Sequence, residues 1–483
     1  MDNQSEWLIK IRSLKELNSI KLFLGTFLIY LFCNNGIGWS SASERTRYAQ
    51  IMALVQDNVL YIDRFIPTFP HPQLWDLSLS PNGHYYPNKP PGLTFLGLPV
   101  LFATNILNIS FPWDGWILIL LSCCFTSFAV LMVYLMCKNT LGMDEKVSII
   151  TSLIFAFATF AFPHSVTLYS NVFSQFFVIF STYFLINKQQ IENTIVRLFL
   201  SGMGMGFLII LDYPNLLLIV PMLVYLLSSK NWRLIWVFLI PVGLFVIVLA
   251  WYQFVCFGSP FVTTYTYAVT HSDVSTGFNN PLQRGLIGLL ITPRRGLFLY
   301  SPILLFSLYG LVKMVQNKSE RKEALLFISL FLILLVFFAL QKYSSGWIFG
   351  SRRLTPVLPL FVLFTGKVLT LPKDEVFSFL PWNNARSFLE RHGNVVFWTV
   401  FGILLSISIG INTIGAITDV HPTNTTYFDH NIELLLAGQI SGFIWNFSPL
   451  LGFAIILPAI ILISSTLYKV YQKPLSTLNL RSP

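Results

Sequence analysis

Residues 91–137 read PGLTFLGLPVLFATNILNISFPWDGWILILLSCCFTSFAVLMVYLMC. How often this stretch crosses a membrane sets the topology of everything after it. A bilayer core of about 30 Å takes roughly 20 apolar residues in a helix. The second half, 115–137, is an uninterrupted run of that kind. The first half, 91–108, is the awkward piece. As a full span it would put Lys138 and Lys146 outside and invert every later loop. It therefore reads as a re-entrant or interfacial segment, and 91–137 crosses once.

Similar apolar runs lie near 20–39, 147–162, 168–187, 196–211, 213–228, 232–256, 297–315, 323–341, 354–371, 395–417 and 446–468. Pro163 and Pro214 sit in tight links, so two pairs of runs read as helical hairpins. No period-2 alternation marks a β-barrel. The chain has 483 residues, 54% hydrophobic and 11% charged, with 45 Phe; its mean hydropathy is +0.66. A soluble domain carries about 25% charged residues, and one or two soluble cores could not hide this much apolar surface. The expected fold is an all-α polytopic membrane protein of about 12 (12–13) transmembrane helices. Its first external loop is long and carries juxtamembrane helices. Three parts are expected: a transmembrane module over 1–371 with external loops 40–114 and 257–296, a cytoplasmic linker over 372–394, and C-terminal transmembrane helices with a short tail over 395–483.

Ser41-Ala42-Ser43 after the first run resembles a signal cleavage site, but an uncleaved first helix is the expectation. Cys33, Cys123, Cys124, Cys137 and Cys256 lie in or beside apolar runs without C-x-x-C spacing, which points to reduced packing residues. The net charge of +10 comes from Lys and Arg in short loops and reads as a topology signal, not a nucleic-acid groove. Lys10, Arg12, Lys15 and Lys21 put the N-terminus inside, and alternation from there puts both termini inside.

Ten of the 31 basic residues break that trend: Arg45, Arg47, Arg64, Lys89, Arg284, Arg294, Arg295, Lys342, Arg352 and Arg353. Most fall in four groups at the membrane boundary beside Gly, Pro or aromatic residues. An isolated arginine there would be snorkelling to headgroups. Four groups on one face point to an anionic, phosphate-bearing substrate. In Ser43-Glu44-Arg45-Thr46-Arg47-Tyr48, Ser43 is the expected N-cap, and Glu44 falls in the first helical turn, where the macrodipole favours its anion. Arg47 and Tyr48 fall on its face. Glu44 reads either as a capping carboxylate paired with Arg47 or as a base for a hydroxyl nucleophile. In Gly83-His84-Tyr85-Tyr86-Pro87-Asn88-Lys89-Pro90-Pro91-Gly92, the prolines stiffen the chain beyond Lys89 and hold its ammonium at headgroup depth. Tyr85 and Tyr86 line a sugar site or form an interfacial belt. Asp212 is either a second carboxylate near the site or a loop residue. His164, Asn171, Tyr213, His271, Asp273, Asp429, Glu433 and the sequon Asn424-Thr425-Thr426 complete the external polar residues.

The ERTRY segment (Glu44–Tyr48), followed by YYPNKPPG (Tyr85–Gly92), resembles the integral-membrane GT-C glycosyltransferases of the lipid-carrier-dependent branch. Protein O-mannosyltransferases and the bacterial transferase that adds aminoarabinose to lipid A belong there. Further echoes are FGSP (Phe257–Pro260), PRRGLFLYSP (Pro293–Pro302) and GWIFGSRRLTP (Gly346–Pro356). The resemblance implies a polyprenyl-phosphate-linked sugar donor and a lipid, glycan or protein acceptor. It implies transfer with inversion on the non-cytoplasmic face of the cell (inner) membrane. It puts Glu44 at the place of the family's catalytic Asp and Lys89 at that of the lysine contacting the carrier phosphate. Arg47, Tyr48, Tyr85, Tyr86, Arg294, Arg295, Arg352 and Arg353 are the further substrate candidates. Arg45 stands where the family has a second acid, which leaves a divalent metal open. A flippase for lipid-linked sugars is the alternative; it would use the same cations but carry ionisable groups within its spans.

Single-cysteine variants test the topology. Lys89→Cys and Arg352→Cys are expected to react with an impermeant maleimide from the non-cytosolic side, and Lys318→Cys from the cytosolic side only.

Overall fold

A computed structural model describes residues 2–34, 41–68, 76–187, 192–230, 232–269, 277–341, 348–372, 383–418, 427–439 and 448–472. The chain is almost wholly helical. The main helices are α1 (Asp2–Cys33), α2 (Ala42–Asp57), α3 (Gly92–Ile106), α4 (Trp113–Leu135), α5 (Glu145–Phe157), α6 (Ser170–Ile186), α7 (Thr194–Leu211), α8 (Ile219–Leu227), α9 (Ile235–Phe257), α10 (Leu282–Leu290), α11 (Leu305–Gln316), α12 (Arg321–Leu340), α13 (Leu358–Thr370), α14 (Asn383–Ile417), α15 (Tyr427–Leu436) and α16 (Pro449–Gln472). Each of the twelve apolar runs expected to span contains helix among the described residues. Among the described residues, seven helices are long and apolar enough to cross a membrane, and five shorter apolar ones accompany them. The span 352–370 has 83% of its most apolar window buried, against 17% for 232–257. The first is therefore central and the second faces outward.

Contacts at the helix ends divide the bundle into two ends. At one, Asn18 donates to Glu145 (2.8 Å), Lys138 pairs with Glu145 (3.5 Å), and Lys367 pairs with Glu320 (2.7 Å). At the other, Asn34 donates to the Trp116 carbonyl (3.2 Å) and Arg47 to Ser170 (3.2 Å). The chain thus leaves α1 and enters α4 at the same end. Helix α3 has 15 residues, about 22 Å at 1.5 Å per residue. It lies along α2, where a Cβ on Gly97 would come within 2.5 Å of Ile51 Cδ1. These contacts keep the start of α3 and the start of α4 at one end of the bundle, the arrangement that a single crossing of 91–137 requires.

Between α2 and α3 the chain forms an antiparallel pair, β1 (Leu77–Leu79) and β2 (Tyr85–Pro87), with Ser78 opposite Tyr86. Gly83 turns it at φ +85°, a left-handed conformation that glycine adopts at little cost. The linker expected over 372–394 is partly helix: 373–382 lie outside the described residues, and α14 begins at Asn383. Lys342, His271, Asp273 and the sequon at 424–426 also lie outside them.

Small residues let the helices close up. A Cβ on Gly310 of α11 would lie 1.8 Å from the Phe364 carbonyl oxygen of α13, whereas one on Gly402 meets nothing within 4 Å. Gly310→Ala is expected to cost about 1–3 kcal/mol through overpacking and to lower the melting temperature in detergent. Gly402→Ala is expected to leave it unchanged or raise it.

Candidate active site

Helix α2 starts at Ser41, whose hydroxyl accepts the Glu44 N–H (3.3 Å), so the N-cap is Ser41 rather than Ser43. Ser43 lies inside the helix, and its hydroxyl accepts from Arg47 Nη1 (3.0 Å). Glu44, Arg45 and Arg47 are all buried, so each needs partners. Glu44 Oε1 accepts the Leu168 N–H (2.6 Å), and Arg47 Nη1 donates to the Leu168 carbonyl (3.0 Å). One residue on the link between α5 and α6 is thereby gripped from both sides by α2. Arg47 Nη2 also donates to Ser170. The Tyr48 hydroxyl donates to Asp114 (2.6 Å) and ties α2 to α4.

The β1–β2 register carries Asp76 to Lys89. The Asp76 carbonyl accepts the Asn88 N–H (2.9 Å), and Asp76 Oδ2 lies 3.6 Å from Lys89 Nζ. After two prolines, Gly92 lies against the last turn of α7, where a Cβ would sit 2.5 Å from the Ile210 carbonyl oxygen. This approach brings the hairpin to Asp212, which ends α7. The Lys89 ammonium lies 5.1 Å from the centre of the Tyr265 ring.

Arg352 and Arg353 open a 3₁₀ turn, Arg352–Val357. Gly350 precedes it at φ +65°. His164 fastens this turn: Nε2 lies 2.8 Å from the Phe349 carbonyl, and Nδ1 lies 3.0 Å from the Thr355 hydroxyl. Asn171 donates to the Arg352 carbonyl (2.9 Å). The Arg352 guanidinium sits 4.5 Å over the Tyr169 ring and Arg353 sits 5.1 Å over Phe338. Tyr169 shares a 3.0 Å hydrogen bond with Ser41.

These pieces meet. Lys89 feels Asp76, Arg353, Arg47 and Arg352; Arg47 feels Asp212, Asp76 and Arg352. Four cations thus face two carboxylates in a poorly hydrated place. Nε of Arg47, Arg352 and Arg353 and Oδ1 of Asp212 are buried without a hydrogen-bond partner among the described residues. Buried guanidinium donors without partners fit an anion that offers several oxygens. Burial pulls Lys89 down to about 8; Asp76 pushes it up and the three arginines push it down. Burial lowers Arg47 from its ordinary value and raises the Tyr265 hydroxyl. Glu44 borders the cluster through Tyr169, on which both Glu44 and Arg352 act.

The other candidates lie apart. Tyr85 packs with Ala49, Ile62 and Leu77, and Tyr86 with Tyr252, Cys256 and Phe257, so both rings serve the packing of the loop. His84 pairs with Asp63 (2.6 Å). Arg294 and Arg295 lie in a turn whose Pro293 and Arg294 carbonyls accept from Tyr300 (3.1 and 3.3 Å). The sequence reading missed Asp76, Tyr169 and Tyr265. A buried lysine's need for a counter-ion is a signal for Asp76; no local pattern marks the two tyrosines. Among the described residues no three His, Cys, Asp or Glu side chains gather as a metal site.

Residues 100–254 match the family model described as dolichyl-phosphate-mannose-protein mannosyltransferase. An oligosaccharyltransferase of Archaeoglobus fulgidus, solved with a tethered acceptor peptide, is similar at a TM-score of 0.53 and 11% identity over 85% of this chain and 56% of that one. The chain shares the GT-C fold of that transferase. ArnT from Cupriavidus metallidurans, solved bound to undecaprenyl phosphate, is similar at a TM-score of 0.47 and 12% identity over 95% of this chain and 78% of that one. No curated protein sequence matches. The matched stretch holds His164, Tyr169, Asn171 and Asp212, while Glu44, Lys89, Arg352 and Arg353 lie outside it.

Lys89 is a cation below about pH 8 and neutral above it. Affinity for sulfate, an anion of fixed charge over this range, measured from pH 6 to 9 at constant ionic strength, is expected to fall as pH rises through about 8. Lys89→Arg, charged at every pH used, is expected to remove that falling limb.

Proposed function

We propose that this GT-C chain moves a sugar from a polyprenyl phosphate to an acceptor hydroxyl at the non-cytoplasmic face of the inner membrane. The observation that carries the reading is the convergence of Arg47, Lys89, Arg352 and Arg353, with three buried guanidinium nitrogens unpartnered. Such donors stabilise charge that grows on a departing phosphate. The family match over residues 100–254 supports a lipid-phosphate mannosyl-type donor.

In this reading the acceptor oxygen attacks the anomeric carbon from the face opposite the phosphate. The new carbon–oxygen bond forms as the bond to the phosphate oxygen breaks, and the electron pair leaves with the lipid phosphate. Attack from behind inverts the anomeric centre. The hydroxyl proton passes to the Glu44 carboxylate, whose Oε1 is fixed by the Leu168 N–H. Lys89, Arg352, Arg353 and Arg47 hold the phosphate as its charge rises. The acceptor is a lipid, a glycan or a protein.

General-base catalysis contributes about 10²–10⁴-fold. Glu44→Gln, assayed with a purified undecaprenyl-phosphate sugar, is expected to lose at least about a hundredfold in turnover while still binding undecaprenyl phosphate. Undiminished turnover would remove Glu44 from the base role. Movement of the lipid across reconstituted vesicles without cleavage of the sugar–phosphate bond would point to a flippase instead.

A further inference from the structure

Of the three carboxylates that border the cations, Asp76 is the most open. Its side chain is 23% exposed, against whole-residue values of 1% for Glu44 and 7% for Asp212. It stands directly before β1, and the hairpin register sets it beside Lys89. At 3.6 Å the two charges attract without a close hydrogen bond. Asp76 also acts on Arg47, Arg353, Tyr169 and Tyr265, so its carboxylate is central to the charges of the site.

We propose that Asp76 is the counter-ion of the anion subsite, a positioning residue that holds the Lys89 ammonium charged and in place between the arginines, and that the substrate's phosphate competes with it for the same cations. The inference rests on the reading of this site as one for a lipid phosphate. The groups facing Lys89 are Arg47 on α2, Tyr265 on the 3₁₀ turn Thr264–Tyr267, and Arg352 and Arg353 before α13. Asp212 at the end of α7 faces Arg47 and Arg353. Three positive neighbours and burial all oppose the ammonium; Asp76 is the carboxylate that favours it.

Two opposite effects of Asp76→Asn follow. Below pH 7, where Lys89 is charged in either protein, loss of a competing anion tightens binding of undecaprenyl phosphate several-fold. Above pH 7, Lys89 loses its proton earlier, and the fall in affinity moves to lower pH by on the order of one unit. A merely structural role would weaken binding equally at every pH. In Lys89→Arg the substitution Asp76→Asn is expected to shift no pH profile, and Asp76→Glu is expected to restore the wild-type profile.

Competitive acetylation of Lys89, read by mass spectrometry across pH without any lipid, measures the ammonium directly. A midpoint lowered in Asp76→Asn supports the proposal; an unchanged midpoint overturns it. If the midpoint moves but the wild-type protein does not bind undecaprenyl phosphate, the lipid-phosphate reading fails while the counter-ion role of Asp76 stands.

Discussion

Mutual repulsion among Arg47, Lys89, Arg352 and Arg353 is the constraint that the rest of the site answers. Little water reaches them to screen it, so protein groups must balance it. Asp76 and Asp212 supply negative charge, and the rings of Tyr169, Tyr265 and Phe338 lie under the cations. Unpartnered guanidinium nitrogens remain. A phosphate answers both the residual charge and the missing acceptors.

Each cation is held by a different part of the chain. Arg47 is fixed by the Leu168 carbonyl, Lys89 by a stiff proline exit and a short hairpin, and Arg352 and Arg353 by a turn fastened through His164. Leu168 and His164 both lie on the short link between α5 and α6. That link therefore binds the α2 helix on one side and the arginine turn on the other, and it sets the distance between Glu44 and the cations. His164 and Tyr169 act here as parts of the frame.

Several local features depend on contacts that the sequence alone does not display. Ser41 and Ser43 are equally good caps in isolation, and the choice falls on Ser41 because the Ser43 hydroxyl is taken by Arg47. The Arg294-Arg295 and Arg352-Arg353 pairs look alike, each beside Gly, Pro and aromatic residues. The second pair acts on Lys89. What separates them is the left-handed Gly350 and the grip of His164 on Phe349 and Thr355, neither visible in the pairs themselves. Tyr85 and Tyr86 alternate on a strand, so one hairpin buries both rings in two different small cores.

The sequence by itself determined the helical, apolar character of the chain, the place of most of its apolar helices and the grouping of misplaced cations along it. These depend on hydropathy and on where Lys and Arg fall, which are properties of composition along a line. Only the tertiary structure decided which cations share a site, which carboxylate stands beside Lys89 and which tyrosines support them. Those residues are up to 309 positions apart in the chain, as with Glu44 and Arg353. Their juxtaposition depends on helix packing at one end of the bundle, which no local pattern encodes.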